Sequence, residues 1–135
     1  MHQHDRGMRY RRLVRVLVVL LVLAFSAFAN PKAAAVHDRQ AKAYFEAKQY
    51  DAAIGEFKKS YELVKKPVTL FKIATAYYQK GDYQSAIDFY GQYLQADPEG
   101  PLAKEALQFT TIAKQQLDAA AKEAEAKRVA AEAEK

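Results

Sequence analysis

Apolar residues recur at helical spacing through most of the chain. Leu70, Ile73, Ala74 and Tyr77 stand three and four apart and make one face of a helix. Pro67 suits the first turn of that helix, where its missing N–H costs nothing. Gly81 suits the left-handed position that ends it, and Asp82 can cap the next helix by accepting from unpaired N–H groups. Tyr83, Ala86, Ile87, Tyr90 and Leu94 then line the facing side of a second helix, which Asp97-Pro98 stops. The pattern predicts a helical hairpin with a short turn, in which Ala74 and Ala86 are small because the helices approach closely there.

The same pattern stands earlier in the chain. Ala41 and Ala74, Tyr44 and Tyr77, Tyr50 and Tyr83, Ala53 and Ala86, Ile54 and Ile87, and Phe57 and Tyr90 are all separated by one and the same interval. A fixed offset of this length, carried by small and apolar positions, points to a stack of repeated helical hairpins.

The second copy, Pro67 to Gly100, resembles a tetratricopeptide repeat. Leu70 takes the usual Trp place and Ile73-Ala74 the Leu-Gly pair, with Tyr77, Gly81, Tyr83, Ala86, Tyr90 and Pro98 in step. Tyr93 departs from it, since a small residue is usual there; its side chain must pack outward or against the following helix. The first copy, Ala34 to Lys66, keeps Ala41, Tyr44, Tyr50, Ala53, Phe57 and Ser60 but has His37 at the Trp place, Lys48 in place of the glycine, and no terminal proline. The resemblance implies an all-α, tetratricopeptide-like solenoid of helical hairpins. Most of the tyrosines and phenylalanines then occupy packing positions. Phe45, Phe71 and Tyr78 lie beside the packing stripe.

After the repeats, Leu102, Ala106, Phe109, Ala113 and Leu117 form a further stripe, so residues 101–117 read as a helix capping the open face of the last repeat. Residues 118–135 are Ala, Glu and Lys almost throughout, and Val129 is their one large apolar side chain. Helix propensity there is high, but large heptad residues are missing, so an exposed helical extension is expected rather than a coiled coil. Two hairpins and a cap fall below the usual minimum of about three repeats, which points to modest stability or to self-association.

Charge adds a different segment. The chain carries a formal +5, of which residues 1–29 hold +4 in five arginines and one aspartate. Uncharged, apolar Val16 to Ala29 follows those arginines, and Ala27-Phe28-Ala29 has the small-x-small form that a signal peptidase reads. Residues 1–29 are therefore read as a signal peptide cleaved near Ala29, with 30–33 a linker. Fourteen apolar residues span about 21 Å as a helix, short of a bilayer core of roughly 30 Å. Starting at Leu13, with Arg15 snorkelling, an uncleaved inner-membrane anchor facing the periplasm is the alternative. Met8 is a second candidate start.

The remaining chain holds little chemistry. With no cysteine there is no disulfide, no thiolate metal site, no thiol nucleophile and no lipoprotein anchor. Beyond residue 29 the one histidine is His37, at a packing position. Ser60 and Ser85 have no nucleophile turn, Glu56, Asp88 and Glu105 are scattered among lysines, and the glycines form no phosphate loop. No catalytic residue, metal ligand or cofactor is assigned. A net charge near +1 beyond residue 29 gives no basic stripe for nucleic acid.

The tetratricopeptide resemblance implies a protein or peptide partner bound on the concave surface of the first helices. The positions facing it are Asp38, Arg39, Lys42 and Phe45 in the first copy, and Phe71, Lys72, Thr75, Tyr78 and Gln79 in the second. Cations beside aromatics are the mixture enriched at interface hot spots. The asparagines of the carboxylate-clamping members are absent, with Lys42 and Thr75 in their places, so that clamp is not carried over. The function expected is a non-enzymatic interaction module of the bacterial envelope, periplasmic or secreted. A self-assembling structural protein, joined through its tail and open repeat ends, is the alternative.

Overall fold

The computed structural model describes residues 29–134, so the signal-peptide reading falls, except for Ala29, outside the described residues. Among the described residues, five helices follow one another: α1 (Pro31–Glu46), α2 (Tyr50–Leu63), α3 (Pro67–Lys80), α4 (Tyr83–Ala96) and α5 (Ala103–Ala133). Each packs mainly on its neighbours in sequence. The architecture is an all-helical, tetratricopeptide-like stack of two hairpins closed by α5.

The helix ends follow from local chemistry. The Asn30 carboxamide oxygen accepts from Ala33 N–H at 3.0 Å, and Pro31 sits in the first turn of α1. Residues 31–33 are thus helical, which corrects their assignment to a linker. α1 and α3 close with the same pair of bonds. Lys48 N–H reaches Phe45 C=O and Gln49 N–H reaches Tyr44 C=O, as Gly81 N–H reaches Tyr78 C=O and Asp82 N–H reaches Tyr77 C=O. Both closures need a left-handed residue: Gly81 has φ 88° and Lys48 has φ 58°. Asp82 caps α4 by accepting from Ser85 N–H at 3.1 Å, whereas Gln49 gives α2 no side-chain cap.

Two clusters make the core. Ala41, Ala53 and Phe57 enclose Ile73, which reaches across from α3 and joins the hairpins. Leu70, Phe71, Ala74, Ala86, Tyr90 and Tyr93 enclose Ala106 of α5. The four alanines matched between the hairpins, 41, 53, 74 and 86, are fully buried. The first hairpin departs from the second at two apolar positions. Where α3–α4 has Leu70 and Phe89, α1–α2 has His37 and Glu56, and His37 Nδ1 lies 2.5 Å from Glu56 Oε2.

Tyr93 takes the second of its two expected directions. It is 1% exposed, meets Phe71 edge-on at 5.7 Å, and accepts from Leu102 N–H at 3.2 Å, ahead of α5. This fit needs Gly100, because a Cβ there would collide with the Tyr93 hydroxyl and the Asp97 carboxylate.

α5 covers the last hairpin with Leu102, Ala103, Ala106 and Phe109. Phe109 stacks on Tyr90 at 5.7 Å and 7°. One repeat interval after Leu70, Ala74 and Tyr77, α5 carries Ala103, Leu107 and Thr110, and Leu107 and Ile112 are exposed on it. The cap and the extension form one unbroken helix, with no boundary at 117/118. From Asp118 onward every described residue is exposed. Lys127–Glu123 and Arg128–Glu125 pairs, at 2.6 and 2.8 Å, lace that part along its surface. Among the described residues no helix is long and apolar enough to cross a membrane.

Candidate partner-binding site

Stacking the hairpins sets α1 beside α3 and leaves two clefts along their seam. One, of about 330 Å³, is lined by Lys42, Phe45, Glu46, Phe57, Phe71, Lys72 and Thr75. Three aromatic side chains contribute to its walls, and lysines and a glutamate lie at its edge. Phe71 is held rigidly by edge contacts to Tyr90 at 5.2 Å and to Tyr93. Phe45 meets Tyr50 edge-on at 5.5 Å. The Thr75 hydroxyl donates to Phe71 C=O at 2.9 Å and lies 3.1 Å from the Tyr90 hydroxyl. Burial pushes the Tyr90 phenol up to about 12, so it stays neutral.

Lys72 connects this cleft with the second. Its ammonium donates to Asp38 at 2.5 Å across the seam and lies 5.7 Å from the centre of the Phe57 ring. The second cleft, of about 250 Å³, lies at the start of α3, and Asp38, Arg39, Lys66 and Lys72 are its charged lining.

The seam brings together most of the partner-facing residues expected from sequence. Lys42, Phe45, Phe71, Lys72 and Thr75 line the aromatic cleft; Asp38 and Arg39 line its neighbour. Phe71 presents only an edge, since the residue is 9% exposed and belongs to the core. Tyr78 and Gln79 line neither cleft. The Tyr78 ring packs against Tyr83 at 5.4 Å and Phe109 at 5.2 Å, so its place on the open face is corrected: α5 lies against it. Gln79 is exposed away from both clefts.

Sequence reasoning missed Glu46, one helical turn beyond Lys42, and missed that Phe57 reaches the cleft from the core. The packing set lies mainly inside the fold. Leu70, Ala74, Ala86 and Tyr90 are buried together, Tyr77 stacks on Phe89 at 5.5 Å, Tyr83 meets Tyr78, Gly81 makes the turn, and Pro98 follows α4 on the surface.

His37 and Glu56 lie at the other side of the first hairpin. Hydrogen bonds from Lys59, at 2.8 Å, and from His37 hold the Glu56 carboxyl below its ordinary range. No group of three or more His, Asp or Glu side chains suited to a metal occurs among the described residues.

A stack of helical hairpins with a seam of this kind defines a helical-repeat protein. Residues 67–99, which span the α3–α4 hairpin, match the family model described as tetratricopeptide repeat. No curated protein matches the chain. Tetratricopeptide repeats generally mediate protein–protein interaction.

Proposed function

We propose that this protein is a non-enzymatic adaptor of the bacterial cell envelope that holds a protein partner in the seam between α1 and α3. The aromatic cleft carries the reading. Preformed apolar walls with a few charged groups at the edge suit a side chain anchored from a partner. The basic leader, the apolar run and Ala27-Phe28-Ala29 support export, with the processed chain beginning at Asn30 in the periplasm.

Capture from envelope extracts by the tagged protein tests the adaptor role. Lys42→Glu combined with Glu46→Lys reverses two exposed cleft charges without touching the core. The expected outcome is a recovered protein that this variant loses. Equal recovery by both forms, with no protein specific to either, rejects the seam. N-terminal sequencing of the fractionated protein tests export: Asn30 as first residue is expected, and an intact 16–29 segment in the membrane pellet replaces the cleaved signal with an anchor.

A further inference from the structure

The second cleft has features that the aromatic one lacks. It opens where α3 begins, a 14-residue helix with no side-chain cap. Pro67 has no N–H to offer, and the N–H of Val68 has no backbone partner. The helix start therefore presents an unmet donor and the positive end of the helix dipole.

Thr69 adds an independent observation. It is 3% exposed and lines the cleft, yet its hydroxyl has no hydrogen-bond partner among the described residues. No buried side-chain oxygen in the described residues is both sealed from solvent and unpaired. The Thr69 hydroxyl must therefore reach open space, and the cleft is the space that Thr69 lines. A hydroxyl open to the cleft and without a protein partner is a donor and acceptor available to a ligand there.

The unpaired charges have one sign. Of four charged lining residues, Asp38 is tied to Lys72 at 2.5 Å, while Arg39 and Lys66 have no ion pair among the described residues. Two cations, a helix start and a hydroxyl thus converge on about 250 Å³, ample for one small oxyanion.

We propose that this cleft is an anion-binding subsite, taking a carboxylate or phosphate group between the Thr69 hydroxyl, the Val68 N–H, Arg39 and Lys66. It deepens the adaptor reading and rests on it for its biological occupant. Lys72 lines both clefts, so a partner segment carrying an apolar side chain and a nearby anionic group fills the seam from end to end.

Titration of the full ¹⁵N-labelled chain in mild detergent tests this, with inorganic phosphate and acetate as probes and chloride holding ionic strength constant. Saturable shifts centred on the Val68 and Thr69 amides are expected, with Lys42 and Glu46 little moved. Thr69→Val and Arg39→Gln should each weaken binding by about tenfold, and Lys42→Gln should not. Arg39 is exposed, so its replacement reads binding without endangering the fold. Tighter phosphate than acetate binding assigns a phosphorylated segment, and comparable binding assigns an acidic one. Non-saturating shifts spread over all lysine-rich surfaces, or unchanged affinity in both the Thr69 and Arg39 variants, overturn the subsite. Neither result depends on capture of a partner, so the adaptor reading and the subsite fail separately.

Discussion

Lys48 and Gly81 occupy equivalent turns, and only the glycine adopts φ > 0 without steric cost. Lys48→Gly should therefore stabilise the first hairpin, by about 1 kcal/mol after allowing for the glycine's greater freedom in the unfolded chain. Urea unfolding checks this: a higher midpoint with an unchanged slope is expected, and a lower midpoint contradicts the strain. Glu56 gives a pH signature. Its carboxyl is held below the ordinary 4.5 by Lys59 and His37. Its contribution is thus full above that value and disappears as pH falls through the lowered one. Glu56→Gln should be less stable than the parent at neutral pH, with the difference closing on acidification; a constant difference across that range would show that ionisation is not the cause. The pair was legible in retrospect. His37 and Glu56 precede Leu70 and Phe89 by the interval that separates the two copies, so the alignment that exposed the repeat also exposed a charge-compatible exchange at two facing positions.

At the scale of helices, the close crossing of α3 and α4 depends on Ala74 and Ala86, both fully buried. Ala86→Leu adds three carbons where there is no room, and overpacking typically costs about 1–3 kcal/mol. Ala121→Leu adds the same atoms to an exposed stretch of α5, at little cost in helix propensity. The first variant should melt several degrees lower than the second by circular dichroism at low protein concentration. Equal midpoints would contradict the crossing. The hairpins were readable because small residues at crossings and glycine at turns obey local rules. Tyr78 was misplaced for the opposite reason: whether it faces solvent depends on where α5 lies, and its partner Phe109 is two helices further along the chain. Thr69 escaped notice because its meaning lies in a missing partner, which no spacing reveals. The helical extension of α5 was legible, because its change of composition at 118 alters what the helix touches but not its tendency to be helical.

At the scale of the molecule, packing is nearly one-dimensional, so stability sums over adjacent seams. Asp118–Ala133 forms no seam, and deleting residues 118–135 should leave the melting midpoint within about a degree while total helical signal falls. A large drop would mean that the extension packs on something in solution, a second copy included. The same segment has a mechanical consequence. Sixteen residues of helix make an arm of about 24 Å beyond the last packed turn. The same helix stacks Phe109 on Tyr90, and the Tyr90 hydroxyl meets Thr75 in the wall of the aromatic cleft. A tilt of about 10° about the last packed turn swings the far end of that arm by roughly 4 Å. An occupant that displaced Thr75 would press on Tyr90 and through it on Phe109, so a label near Ala133 would sense an occupied cleft at the longest lever available.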